Sequence, residues 1–197
     1  MKIYDISQEV FSCEIYPGDP SPKRERLCAI ESGDLYNLTA FSMCAHNGTH
    51  IDAPSHFIPN GSSVDAVDLS KTVGYAFVVE HNGDVFAEDA EKMLERAREI
   101  CGQSARRILI KGDVTVTSDA ARVFAEAKLE LLGNESQTVG PDDAPMEVHK
   151  ILLSADTVLL EGIRLGEVPE GLYILCAQPL NLAESDGSPC RAILIEF

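Results

Sequence analysis

Three of the chain's five histidines and one aspartate fall between His46 and His56, in the segment Ala45-His-Asn-Gly-Thr-His-Ile-Asp-Ala-Pro-Ser-His-Phe57. His46, Gly48, His50, Asp52, Pro54 and His56 share one parity, and alternate side chains of an extended chain project from one face. Gly48 and Pro54 both count against a helix interior. The segment therefore predicts a strand that runs into a loop near Pro54. Every candidate ligand would lie on one side, with Gly48 leaving room between two histidines. Imidazole nitrogens and carboxylate oxygens are the donors that first-row divalent ions take in catalytic sites, whereas structural zinc sites are closed and rich in cysteine.

The rest of the chain reads as α/β. Strand patterns occur near Met1 to Ile6, Tyr36 to Cys44, Val73 to Val79, Arg107 to Lys111, Thr157 to Leu160, Gly171 to Cys176 and Arg191 to Phe197. Helical spacing links Ala90, Met93, Leu94, Ala97 and Ile100, with Gly102 as the expected C-terminal cap. The same spacing links Ala120, Phe124, Ala127 and Leu131, opened by Thr117 or Ser118 and closed by Gly133. A shorter helix is expected from Pro145, carrying His149. The polar stretch from Asn134 to Ala144 reads as a long loop suited to covering a site or meeting a second subunit.

Size and charge narrow the function. A length of 197 residues, with 45% hydrophobic and 24% charged residues, fits one domain spanning 1–197 with a core of its own. A formal charge of −16 argues against nucleic acid and anionic membranes as partners and leaves a small molecule as the expected one. The N-terminus is charged where a signal peptide is apolar, and no apolar run is long enough to span a membrane, so a cytoplasmic location is expected. Six cysteines without a Cys-x-x-Cys pair suit free thiols in a reducing compartment.

Two further residues are open to two readings. His149 shares a helical face with Leu152 and Leu153, which fits a core histidine as well as a ligand. Glu161 ends the apolar run Thr157-Val-Leu-Leu, where a carboxylate faces solvent or needs a partner to offset its desolvation. His81, beside Asn82 and Gly83, reads as a turn residue.

The segment from His46 to Phe57 resembles the His-x-Gly-Thr-His-x-Asp-x-Pro-x-His motif of the metal-dependent cyclase family, which includes bacterial kynurenine formamidases, at every fixed position. The resemblance extends to Tyr16-Pro-Gly-Asp, to the twelve-residue step from His149 to Glu161, and to Gln178-Pro-Leu-Asn-Leu and Gly187-Ser-Pro-Cys-Arg-Ala-Ile-Leu. It is weakest from about Val85 to Asn134. It implies a swivelling β/β/α fold, a homo-oligomer (dimer or tetramer), and hydrolysis of an aryl formamide such as N-formylkynurenine to the amine and formate.

The resemblance also assigns roles. His46, His50 and Asp52 would bind one divalent ion and His149, Asp52 and Glu161 a second, with the two carboxylates bridging; zinc is the first expectation and manganese the second. His56 would be the proton donor and acceptor, a role its reference pKa of ~6.5 suits. Tyr16 would contact substrate, standing where kynurenine-specific relatives carry tryptophan. That difference leaves room for another amide, a cyclic imide or an isatin-like lactam. A non-catalytic metal-binding or ligand-sensing protein on this scaffold would need the ligands but not His56.

Overall fold

The structure, a computed structural model, describes all 197 residues. The first part of the chain contributes β1 (Lys2–Asp5), β2 (Lys23–Cys28), β3 (Leu38–Ser42) and β4 (His50–Asp52). Next come α1 (Leu69–Thr72), β5 (Val73–Glu80), β6 (Gly83–Val85), α2 (Ala87–Ile100), β7 (Arg107–Lys111) and β8 (Val114–Val116). The remainder forms α3 (Ser118–Glu126), β9 (Leu131–Asn134), α4 (Met146–Ser154), β10 (Val158–Glu161), β11 (Gly171–Cys176), β12 (Gly187–Pro189) and β13 (Ile193–Glu196). This is the expected α/β class.

Nine strands form one mixed sheet in the order β1-β13-β11-β5-β7-β9-β10-β4-β12. Its centre, β5-β7-β9-β10, is parallel, and the strands on both sides of that centre pair antiparallel. The central strands are nearly continuous apolar runs because both of their faces are buried. Phe77, Val79, Ile108, Ile110, Leu132 and Leu159 pack under α2, α3 and α4. The alternate residues Ala76, Val78, Leu109, Leu131, Val158 and Leu160 face the other way and share a second core with Tyr4, Ile51 and Leu194. None of the residues of that second core comes from α1, α2, α3 or α4, and the sheet curls until residues from strands near both ends meet. Outside the sheet, β2 and β3 make an antiparallel hairpin and β6 pairs with β8.

The observed helix ends differ from the sequence reading. α3 stops at Glu126, and Lys128 turns the chain in the left-handed region at φ 55°. Leu131 continues the helical spacing, but the chain there is β9, whose four residues are all buried. Burial on two sheet faces outweighs local periodicity at that point. Gly133 is thus a strand residue and not a cap: a Cβ on it would lie 2.5 Å from Leu109 Cδ2. Likewise α2 ends through extended Cys101, and Gly102 does not adopt a left-handed turn. Strands β2, β6, β8 and β12 are short or polar and leave no clear mark in the sequence.

Candidate functional site

The candidate ligands meet where β4 lies antiparallel to β10. Register pairs His50 with Glu161, and Asp52 lies two residues along the same strand. All three side chains therefore stand on one face, the one covered by helices, and α4 lowers His149 onto them. Ile51, between His50 and Asp52, points into the opposite core. His50, Asp52, His149 and Glu161 are each no more than 2% exposed.

The expected run of one-sided ligands from His46 to His56 holds only for His50 and Asp52. Strand β4 is three residues long; His46 comes from the preceding turn and His56 from the 3-10 turn Pro54–His56. Gly48 has a different reason from the one expected. It adopts φ 65°, and a Cβ there would lie 2.9 Å from Cys13 Cβ, so it makes the turn and does not clear space for a ligand. Thr49 fixes the start of β4 by donating to Gly162 O at 2.7 Å while accepting from Gln8 N at 2.9 Å.

Each histidine of the cluster has one ring nitrogen anchored. His50 Nδ1 donates to Gly48 O at 2.9 Å, leaving Nε2 3.3 Å from both Asp52 Oδ1 and Glu161 Oε2. His149 Nδ1 donates to Pro145 O at 2.9 Å, leaving Nε2 3.1 Å from Glu161 Oε1 and 3.5 Å from Asp52 Oδ2. His46 Nδ1 lies 2.8 Å from Asp52 Oδ1, and its Nε2 lies 3.1 Å from Asp186 Oδ2. An outer partner on one nitrogen that presents the other inward is how metal-binding imidazoles are oriented.

Burial disfavours the imidazolium of His50, but its hydrogen bonds to Asp52 and Glu161 outweigh this and push its pKa up to about 10. Burial is likewise outweighed at His149, where Glu161 raises the pKa to about 9. Asp52 is held well below the usual carboxylate range because His46 and His50 overcome its desolvation. Glu161 is also lowered: burial and Asp52 oppose its charge, but His149 and His50 favour it more. Two buried carboxylates side by side thus draw positive charge from the surrounding imidazoles.

The model of the family described as "Putative cyclase" matches residues 4–141. A kynurenine formamidase of Erythrobacter litoralis (strain HTCC2594) is 32% identical across all of this chain and 94% of its own length. The chain belongs to the cyclase family. A solved structure described as a potential metal-dependent hydrolase with cyclase activity superimposes with a TM-score of 0.80 at 26% identity, covering 98% of this chain and 96% of its own. Isatin hydrolase A from Labrenzia aggregata, at 22% identity and a TM-score of 0.80, covers 98% of this chain and 93% of its own; it shares the fold.

In this cyclase-family chain the donor set fits a divalent cation. The groups fall into two triads, His46–His50–Asp52 and Asp52–His149–Glu161, each with donor atoms within 4.8 Å of one another. Asp52 Oδ2 is buried without a hydrogen-bond partner, its nearest donor being His149 Nε2 at 3.5 Å, which leaves a carboxylate oxygen open to a cation. All the donors are nitrogen or carboxylate oxygen, a set that accepts zinc or manganese.

Beside the donors opens a cavity of about 440 Å³, lined among others by Tyr16, His56, Phe57, Gln137 and Asp186. Tyr16, the predicted substrate contact, reaches this cavity, and its hydroxyl donates to Asp142 O at 2.8 Å. His56 stacks on His46 with ring centroids 4.0 Å apart, and its Nδ1 lies 3.2 Å from Asp186 Oδ2. Burial lowers its pKa despite the attraction of Asp52. Sequence reasoning missed two groups. Asp186 sits in a polar loop with no motif spacing to the histidines. Gln137, whose amide atoms are buried and unpaired, lies in the long loop read as suited to covering a site, in which the sequence singles out no residue. His81 is the turn residue expected, its Nε2 donating to Asp84 O at 3.1 Å.

Proposed function

We propose that this chain is a metal-dependent amidohydrolase that cleaves an aryl formamide, of which N-formylkynurenine is one, to the free amine and formate. The observation that carries the reading is the pairing of two buried, charge-hungry donor triads with His56 on the wall of one cavity. The kinship with a kynurenine formamidase supports the substrate class. His46, His50 and Asp52 would hold one divalent ion, and Asp52, His149 and Glu161 a second. We take zinc as the first candidate and manganese as the second, since nitrogen and carboxylate donors accept both.

Hydrolysis adds the elements of water across the formyl C–N bond, with oxygen to carbon and a proton to nitrogen. Bound divalent ions supply the Lewis acidity that polarises a carbonyl and brings the acidity of water toward neutrality. His56 moves the proton. Asp186 occupies its Nδ1 side, so Nε2 is the atom that takes a proton from water and hands it to the departing amine. Tyr16 and Phe57 offer flat faces for an aryl ring, and the unpaired Gln137 amide offers a hydrogen bond to the substrate's polar groups. No lysine or arginine lines the cavity, so uncharged aryl formamides belong in the test beside N-formylkynurenine.

The decisive assay supplies the metal-reconstituted protein with formanilide, N-formylkynurenine and a cyclic lactam, with and without chelator. Chelator-sensitive release of amine from a formamide is expected; turnover of the lactam alone would move the assignment to cyclic amides. No turnover on any of them would favour the metal-binding or sensing role. His56→Ala is expected to keep its metal and lose turnover. As a finer reading, we propose a homo-oligomer in the cytoplasm. The exposed apolar side chains of Leu27, Leu38 and Phe41 on the β2–β3 hairpin support association, and six free cysteines support a reducing compartment. No helix is long and apolar enough to cross a membrane. Sedimentation tests the association.

A further inference from the structure

We infer that Asp186 is a positioning residue that locks the proton-transfer histidine to a metal-binding histidine. One carboxylate oxygen, Oδ2, meets His46 Nε2 at 3.1 Å and His56 Nδ1 at 3.2 Å, and the two rings stack at a centroid distance of 4.0 Å with their planes 24° apart. A neutral imidazole has one N–H and one lone pair. In the metal-free chain both His46 nitrogens face carboxylates, Nδ1 that of Asp52 and Nε2 that of Asp186; an ion held at Nδ1 would leave the one N–H on Nε2, donating to Asp186. His56 donates its N–H from Nδ1 to the same oxygen, which leaves the lone pair of Nε2 as its working end. A proton on Nε2 instead would leave no lone pair at that end to accept one from water.

The backbone holds this arrangement from both sides. Asp186 directly precedes β12, whose Gly187 is registered with Asp52, and Asp186 O accepts from Ala53 N at 2.9 Å. Gly187 lets the His46 ring lie flat against the strand: a Cβ there would fall 2.6 Å from His46 Cε1. The carboxylate is half exposed at 50%, so water shares its charge with the two rings. The same oxygen, His46 and His56 form a third cluster of metal-donor type. His46 has only one lone pair to give, however, and it faces the buried carboxylates, so this outer group is a hydrogen-bonded clamp and not a third ion site.

The inference rests on the hydrolase reading for its kinetic arm only. In the zinc-loaded protein at pH 8, long-range nitrogen–proton NMR of the histidine rings reports the tautomer, with His56 assigned from the signal lost in His56→Gln. The expected result is a proton on Nδ1 of His56 in the parent chain and a shift to the Nε2-protonated form in Asp186→Ala. On formanilide, Asp186→Ala is expected to lose roughly 10–100-fold in kcat, the usual effect of removing an outer-shell partner, with KM little changed. Added acetate, which can enter the half-exposed site, is expected to restore part of the rate. An unchanged tautomer, or a loss wholly in KM without acetate rescue, would overturn the inference. If the parent chain hydrolyses no amide, the functional reading falls and the ring spectra still judge Asp186. Should Asp186→Ala fail to fold, Asp186→Ser carries the same measurements.

Discussion

Loading the site with a divalent ion should expel protons, because the buried carboxylates Asp52 and Glu161 accept positive charge from either source. In the metal-free chain those charges sit on His50, with its pKa near about 10, and His149, near about 9. A neutral ring is required for ligation. Returning the two protons to water at pH 7 costs on the order of 4 kcal/mol at His50 and 3 kcal/mol at His149, at ~1.4 kcal/mol per pKa unit. At least two protons should therefore leave on loading, with His46, whose pKa Asp52 also raises against its burial, adding to the count, and log affinity should climb by about two per pH unit or more between pH 7 and 8.5. Calorimetry of zinc binding in phosphate and in Tris, whose ionisation heats differ, counts the protons directly. Stability follows the same linkage. Both folded-state pKa values lie above the unfolded ~6.5, so their contribution is complete below pH 6.5 and is lost as pH rises through about 9 and 10. The metal-free Tm should fall by roughly ten degrees or more from pH 6 to pH 9, while the loaded protein's should fall far less. Binding heat independent of buffer, or a metal-free Tm flat across that range, would refute the reasoning.

Gly187→Ala places a methyl 2.6 Å from His46 Cε1 and 2.8 Å from Ile51 O, so the ring must shift; metal affinity measured by chelator competition should drop by roughly 10–100-fold, with the circular-dichroism spectrum unchanged. Leu109→Ala removes a fully buried side chain from the sheet's second core and should cost about 2–5 kcal/mol in urea denaturation, without changing which metal binds. Tyr16→Phe deletes the bond to Asp142 O and should raise KM for an aryl formamide by about two- to tenfold, with kcat retained; a loss confined to kcat would remove Tyr16 from binding.

How much of this was legible in the sequence depends on the range of each interaction. The central strands β5, β7 and β10 announce themselves because burial on both faces demands continuous apolar residues. β9 carries the same demand but follows α3 so closely that Leu131 fits the helical repeat as well. Packing of Gly133 against Leu109 Cδ2 decides between them, and that contact joins strands far apart in the chain. The candidate ligands were legible as a motif, yet the geometric reason first offered for their clustering was only partly right. Parity explains His50 and Asp52, whereas His46 and His56 reach the cavity from turns on either side of a three-residue strand.

What brings the site together is register, which no local pattern states. Glu161 faces His50 because β10 and β4 pair with those two residues opposite one another, and Gly187 meets Asp52 because β12 pairs on β4's other edge. A slip of one residue in the first pairing would send Glu161 into the core that holds Ile51 and Leu160, where a carboxylate has no partner. The apolar residues alternating with the candidate ligands therefore enforce the proposed metal site: Ile51 and Leu160 must face the curled core, so His50, Asp52 and Glu161 must face α4. The same logic places Asp186. Its position follows from the β12 register, and its proposed function follows from lying one residue before Gly187, the strand residue against which the His46 ring rests.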